Sequence, residues 1–357
     1  MLMNKKAIAV LSAVLAAVML TVFPAGCSNL AGNSANMAEE ENSISEETET
    51  IVVGFSQLGA ESNWRSANTE SMKETFSVEN GYEMIFEDGQ QKQTNQITAI
   101  RRFIQQEVDY IVLAPVTETG WDTVLTEAKD AGIPVIIVDR MVAVEDDSLF
   151  TAWVGSNFEL EGKKATEWLK EYCQHNGIAP SFLHIADIQG TIGASAQIGR
   201  TKALDNAAKK YDWDIAAKAD GDFTELGGRE AVNNILKNHD NINIIYCEND
   251  NSAFGAIEAL EKAGYKVGSD ITKGEIMIIS FDGVNEKAME YVGEGKISFE
   301  AECNPLLGPR VKSIIETLES GETPEKYTYV EESVFSKDTK INKLSVDGAL
   351  YEVTIVE

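Results

Sequence analysis

From residue 51 onward, short runs rich in β-branched and aromatic residues alternate with longer stretches whose apolar positions recur every three or four residues. The first pattern is that of a buried strand, the second that of an amphipathic helix. Strands are expected over residues 51–56, 82–87, 110–114, 135–138, 182–186, 213–217, 243–246 and 276–281. Helices are expected over 63–78, 94–106, 121–130, 159–175, 196–210 and 252–263. Strand and helix in rotation build βαβ units and a mostly parallel sheet, so the fold class is α/β.

The rotation runs twice. In the first half a strand from Ile51 leads through a polar loop to Arg65 at the start of a helix, then to a second strand and Asp88-Gly89. In the second half a strand from Phe182 leads to Arg200, a strand and Asp220-Gly221-Asp222. Arg65 lies 23 residues before Asp88, and Arg200 lies 22 before Asp222. The next strands repeat as well: Ile111-Val112-Leu113 precedes Ala131-Gly132 and a strand ending in Asp139, while Ile244-Ile245-Tyr246 precedes Ala263-Gly264 and a strand ending in Asp282. Two similar lobes in tandem follow. Ligands of open parallel sheets lie beyond the carboxyl ends of the strands, where Arg65, Asp139, Arg200 and Asp282 fall. Singly, each reads as ordinary, an Arg on a helix surface or an Asp in a turn. Their repetition singles them out, and facing lobes would bring all four onto one cleft.

At 357 residues the chain is long for one core, and its 43% hydrophobic residues give two domains enough apolar material. With 30 Lys+Arg against 58 Asp+Glu the net charge is -28, which repels phosphate backbones and excludes nucleic acid as a partner. The start of the chain differs. Asn4-Lys5-Lys6, an apolar run from Ala7 to Phe23 and Pro24-Ala25-Gly26-Cys27 read as an export signal over residues 1–26. Small residues before the Cys resemble the lipobox of bacterial lipoproteins, with Pro24 where that motif usually has Leu. The resemblance implies lipidation at Cys27 and an extracytoplasmic protein anchored to the cell membrane. Residues 27–50 carry six Glu and no aromatic, the composition of a flexible acidic tether. Cys173, Cys247 and Cys303 form no Cys-x-x-Cys pair and read as buried thiols.

A cleft lined by guanidinium and carboxylate groups suits an uncharged, polyhydroxylated molecule. Carboxylates accept from hydroxyls, and the Arg fork donates to neighbouring hydroxyl oxygens. The C–H faces of a sugar also want flat apolar walls, for which Trp64, Trp121 and Phe223 are candidates, each of them equally a core aromatic. Other chemistries find no support. Gly54 to Gly59 lacks dinucleotide-loop spacing, and His175, His184 and His239 lack metal-ligand spacing. Gly193-Ala194-Ser195-Ala196 is no nucleophile elbow. Asp139 and Asp282 are a carboxylate pair of the kind glycoside hydrolysis employs, but flanking arginines are expected to keep both ionised and leave no general acid. The expectation is a binding protein, not an enzyme, with no cofactor and no metal.

Several segments together resemble one family. They are Gly54-Phe55-Ser56-Gln57, Glu61-Ser62-Asn63-Trp64-Arg65, Asp88-Gly89-Gln90-Gln91 and Asp139-Arg140 in the first half, then Gly190-Thr191-Ile192-Gly193, Arg200, Gly221-Asp222-Phe223, Asn249-Asp250 and Phe281-Asp282-Gly283 in the second. The chain resembles the periplasmic-type sugar-binding proteins of ABC importers, of the ribose-binding class, and within it the galactofuranose-binding proteins, from Ile51 to about Phe335. The resemblance implies two Rossmann-like lobes with parallel sheets joined by a three-stranded hinge, the periplasmic binding protein type I fold. Its lobes would be 51–155 plus 305–330 and 156–304 plus 331–357, with crossings near Gly155-Ser156, Asn304 and Glu331. It implies ligand contacts from Trp64, Arg65, Asp139 and Arg140 in the first lobe, from Ser195, Arg200, Phe223, Asn249 and Asp282 in the second, and from Asn304 at a crossing. The implied function is capture of a monosaccharide, galactofuranose or a related sugar, by a monomer that closes about its hinge and delivers the sugar to ABC permease subunits in the membrane. The alternative is a sugar-sensing receptor domain that signals through a membrane partner.

Overall fold

The computed structural model describes residues 50–357; the expected export signal, Cys27 and the expected tether up to residue 49 lie outside the described residues. The first strands and helices are β1 (Ile51–Gln57), α1 (Asn63–Thr75), β2 (Tyr82–Asp88), α2 (Gln93–Gln105), β3 (Tyr110–Leu113), α3 (Asp122–Asp130), β4 (Val135–Val138) and β5 (Ala152–Gly155). A second series follows: α4 (Phe158–Asn176), β6 (His184–Gln189), α5 (Ser195–Tyr211), β7 (Asp214–Asp220), α6 (Glu225–Ile235), β8 (Ile244–Cys247), α7 (Asp250–Lys262), β9 (Lys266–Val267), β10 (Glu275–Asp282), α8 (Glu286–Glu294) and β11 (Phe299–Glu302). The chain ends with α9 (Gly308–Glu319), β12 (Tyr327–Tyr329), β13 (Val334–Ser336), β14 (Lys343–Val346) and β15 (Ala349–Ile355).

Two sheets result. The first runs β12-β5-β4-β3-β1-β2 and is parallel throughout. The second runs β14-β15-β13-β11-β10-β8-β6-β7, with β9 beside β10, and is parallel from β7 to β11. The order β2-β1-β3-β4-β5 in one matches β7-β6-β8-β10-β11 in the other. Helices cover both faces of each sheet, so β3, β4 and β8 can be wholly apolar four-residue runs with every residue buried. The chain passes between the sheets three times, from β5 to α4, from β11 to α9 and from β12 to β13. Helix α9 packs on α1, returning late sequence to the first lobe.

The structure departs from the sequence pattern in places. A 3-10 turn over Pro180–Phe182 delays β6 by two residues, and β7 extends to Asp220. The apolar pattern gives no warning of β11, whose Phe-Glu-Ala-Glu sequence places Glu300 in the interior. The repeat itself is shifted. Asp88 Oδ1 accepts from Gln90 N at 2.8 Å and Asp220 Oδ1 accepts from Asp222 N at 2.9 Å. Gln90 and Gln91 take φ of 50° and 57°, and Asp222 and Phe223 take 49° and 57°. Asp88 therefore corresponds to Asp220, not to Asp222 as the spacing suggested, because the first half carries an extra 3-10 turn, Val78–Asn80, between helix and strand.

The second lobe buries several carboxyls in and around its sheet. Neither oxygen of Asp187 on β6 receives a hydrogen bond, and burial pushes its pKa from 3.8 to about 7 against the pull of Lys218. Asp250 is likewise pushed up to about 7 by burial, and burial with Asp250 beside it raises Glu300 well above its usual value. Such groups hold protons when folded that they release when unfolded. Stability is thus fully present below the usual carboxylate range and falls as pH rises toward neutrality. Melting followed by circular dichroism is expected to drop by several degrees between pH 5 and 8, and Asp187→Asn is expected to shrink that drop.

Candidate functional site

The carboxyl ends of β1 and β4 in the first sheet face those of β7, β8 and β10 in the second across a narrow cleft. Local sequence fixes each wall. Ser62 takes an extended backbone and its Oγ accepts from Arg65 N at 3.1 Å, capping α1 so that Trp64 and Arg65 stand in its first turn. Asn249 caps α7 in the same way, accepting from Ser252 N at 2.9 Å while its Nδ2 donates to the Phe223 carbonyl at 3.0 Å. Asp139, just after β4, and Asp282, at the end of β10, take positive φ of 61° and 106°. Such strained backbone at the matching point of both halves is what functional sites tend to store. Gly190 lets the Phe223 ring approach: a Cβ there would lie 1.9 Å from the ring.

Three arginines, Arg65, Arg140 and Arg200, are each at most 3% exposed. A buried guanidinium must be paired. Arg65 donates from Nη2 to Asp139 at 2.7 Å and from Nε to Glu61 at 3.1 Å. Arg140 donates from Nη1 to the Val116 carbonyl at 2.7 Å and lies 3.7 Å from Glu61. Arg200 donates from Nε to Glu161 at 2.8 Å and from Nη1 to the Glu248 carbonyl, and its Nη2 lies 3.5 Å from Asp282. Rings flank the cations: Arg65 lies 4.6 Å from the Trp64 ring, and Arg140 of the first lobe 5.3 Å from Phe223 of the second.

The two walls differ electrostatically. Burial opposes the charge of Arg65, but Asp139 and Glu61 outweigh it and its pKa rises; burial likewise opposes that of Glu61, yet Arg65 and Arg140 hold Glu61 below its usual value. Burial and then Arg65 lower Arg140. In the second lobe burial wins over Arg200, so Glu161 is raised and Asp282 is pushed well up, with Asp250 adding to the effect. The expectation that flanking arginines keep both Asp139 and Asp282 ionised therefore fails for Asp282.

Of the residues expected to bind ligand, Trp64, Arg65, Asp139 and Arg140 line the cleft from one lobe, and Arg200, Phe223, Asn249 and Asp282 from the other. Ser195 and Asn304 stand outside the lining. Ser195 Oγ accepts from Met141 N at 2.7 Å across the lobes, and Asn304 Oδ1 accepts from Leu306 N at 2.9 Å in a crossing. Trp121 is no sugar wall. It is fully buried beneath α3 in the core of the first lobe, donating to the Thr117 carbonyl at 2.7 Å. The structure adds Glu61, Ser62, Phe158, Ala196 and Cys303 to the lining. Glu61 was legible only as a carboxylate four residues before Arg65, one position ahead of the helix cap. Cys303 carries no such signal, since it reaches the cleft only through a crossing.

Two α/β lobes with duplicated strand order and a polar cleft between them define a solute-binding protein of the periplasmic type. Residues 53–301 match the periplasmic binding protein domain, and the chain belongs to that family, whose members bind substrates and are not enzymes. It is 40% identical over 300 residues to the galactofuranose-binding protein YtfQ of Escherichia coli, a match covering 82% of this chain and 90% of the relative. Among solved structures it resembles a Mycobacterium smegmatis protein in complex with β-D-fucofuranose, with TM-score 0.75, 37% identity and coverage of 80% of this chain and 91% of the other. It also resembles the binding component of an arabinose ABC transporter from Shewanella sp. ANA-3 bound to L-arabinofuranose, with TM-score 0.74, 38% identity and coverage of 80% and 92%. The protein is thus an extracytoplasmic binding component whose family takes sugars and serves ABC importers.

Removing the cation from the second wall strands its acids. Arg200→Met is expected to cost about 3–5 kcal/mol at pH 8, where Glu161 and Asp282 lose their partner, and less at pH 5, where both take up protons. Urea unfolding at the two pH values reads the difference.

Proposed function

We propose that this protein captures a monosaccharide in its furanose form, galactofuranose or a close relative, by closing two lobes around it, and presents the closed form to the permease of an ABC importer. One observation carries the reading. Glu61 Oε2 and Arg65 Nη1, both buried in the cleft lining, have no hydrogen-bond partner. An unspent acceptor beside an unspent donor matches a hydroxyl, which gives one hydrogen bond and takes another. With arginines and acids nearly balancing, the cleft favours an uncharged ligand. The furanose form is supported by the three relatives above, each named for or bound to a furanose.

Trp64, Arg65, Asp139 and Arg140 hold one side of the ring in this reading, and Arg200, Phe223, Asn249 and Asp282 the other. Ser195 and Asn304 act indirectly, as a cross-lobe contact and a crossing residue. The lobes comprise 51–155 plus 305–330 and 156–304 plus 331–357. Closure is supported by hydrogen bonds that bridge them on the rim: Met141 N to Ser195, Glu118 N to the Gly193 carbonyl at 3.2 Å, and Asn63 N to Asn251 Oδ1 at 3.1 Å. A sugar touching both lobes would stabilise this state over an open one. The protein works as a monomer, held to the membrane through lipidated Cys27 and the acidic tether.

Calorimetry with D-galactose, D-fucose and L-arabinose tests the reading on protein freed of carried-over sugar by unfolding and refolding. Heat with at least one is expected, with the furanose ring form in the carbon spectrum of the bound labelled sugar. A bound pyranose would remove the furanose assignment, and silence across the panel the sugar itself. Asp139→Ala, which removes a charged partner, is expected to weaken binding about 10- to 100-fold. Ser195→Ala, which removes one rim contact, is expected to weaken it about fivefold in the same titration.

A further inference from the structure

Behind the cleft, the three chain crossings meet at one carboxyl. Glu332 lies on the third crossing, between β12 and β13. Its Oε1 accepts from Ser156 Oγ of the first crossing at 2.5 Å and from Asn304 N of the second at 2.8 Å. Its main-chain carbonyl accepts from Lys164 Nζ of α4 at 2.9 Å. A carboxyl oxygen of Glu161, one of Glu332 and the Cys303 Sγ all lie within 4.8 Å of one another, and Cys303 Sγ is 3.3 Å from Ser156 Oγ. The remaining charged groups facing this point are Arg200 from α5, Asp282 at the end of β10 and Glu302, which accepts from Ser333 N at 2.9 Å.

Glu161 is the link to the cleft. Its Oε2 accepts from Arg200 Nε, while its buried Oε1 has no donor among the fixed hydrogens of its neighbours. A Glu332 carboxyl oxygen lies within 4.8 Å of a Glu161 carboxyl oxygen, and Glu332 Oε1 is already occupied as an acceptor. Two carboxylates in contact in a buried site repel, whereas one carboxylic acid donating to one carboxylate satisfies both. A proton on Glu332 Oε2 would supply a donor to the unpartnered Glu161 Oε1.

We propose that Glu332 is a positioning residue for sugar binding: as a neutral acid it donates to Glu161, holds that carboxylate against Arg200, and so ties the three crossings to the wall of the cleft. This deepens the sugar-binding reading and rests on it. Burial, with Glu161 adding to it, pushes Glu332 up to about 9, so the proton is in place at neutral pH. Burial also raises Cys303 and lowers Lys164.

Glu332→Gln separates the contributions, because an amide accepts from Ser156 and Asn304, donates to Glu161 and cannot lose its proton. With D-galactose and L-arabinose as probes, wild-type affinity is expected to fall at least tenfold between about pH 7.5 and 10. Glu332→Gln is expected to bind like wild type at pH 7.5 and to stay within about twofold at pH 10, while Glu332→Ala binds at least tenfold more weakly at both. A Gln variant that loses affinity in parallel with wild type, or an Ala variant that binds normally, overturns the proposal. A sugar-free measurement guards it. Since the folded pKa is raised, wild-type stability falls as pH climbs from the usual carboxylate range to about 9, and the Gln variant is spared that loss. The melting temperature of Glu332→Gln relative to wild type must therefore rise between pH 5 and 9. Absence of that trend overturns the positioning role alone, whereas the trend without any sugar binding overturns the sugar reading and the positioning role with it.

Discussion

The site depends on keeping guanidinium groups out of water without leaving their charge unbalanced. Desolvating a cation is costly enough that a buried arginine persists only where carboxylates and carbonyls face it from fixed positions. Arg65 meets Glu61 and Asp139, and Arg200 meets Glu161 and the Glu248 carbonyl. These partners sit on different strands and helices, so the ion pairs also fix the strand ends relative to one another. The lattice does not consume every polar atom. What it leaves unspent on the first wall, Glu61 Oε2 and Arg65 Nη1, is what a hydroxylated guest would complete in the proposed reading.

The two lobes arrive at similar geometry with different chemistry. In the first, two arginines surround Glu61 and hold it ionised. In the second, one arginine is shared among several acids, and burial keeps Asp282 readier to hold its proton. One wall thus offers acceptors fixed by charge, and the other offers a carboxyl group able to donate. A sugar hydroxyl can satisfy either. The same preference for buried, proton-holding acids continues behind the site through Glu332 and under the second sheet through Asp187, Asp250 and Glu300.

Duplication supplies the scaffold for this asymmetry. The Asp-Gly turns at Asp88 and Asp220 carry the same pair of left-handed residues behind equivalent strands, and Asp139 and Asp282 repeat a positive φ at equivalent strand ends. Backbone of this kind is held by its surroundings, not by the residue's own preference. Side chains on the repeated frame then diverge: Gln91 occupies the position that Phe223 fills in the second lobe, and only Phe223 reaches the cleft.

Much of this was legible in the chain because it is local. Apolar periodicity marks buried strands and helix faces, and Asp-Gly pairs mark turns. An Arg at a helix start and an Asp at a strand end read as cleft residues once they occur twice. Contacts between distant residues decided the rest. Trp64 and Trp121 carry the same local signal, an aromatic at a helix start, yet Trp64 donates to the Cys303 carbonyl 239 residues away and lines the cleft, while Trp121 donates to Thr117 four residues away and packs in the core. Glu161, Glu300 and Glu332 look in sequence like solvated acids. Folding buries them because crossings and strands far apart in the chain close over them, and burial, a property of the assembled whole, is what changes their chemistry.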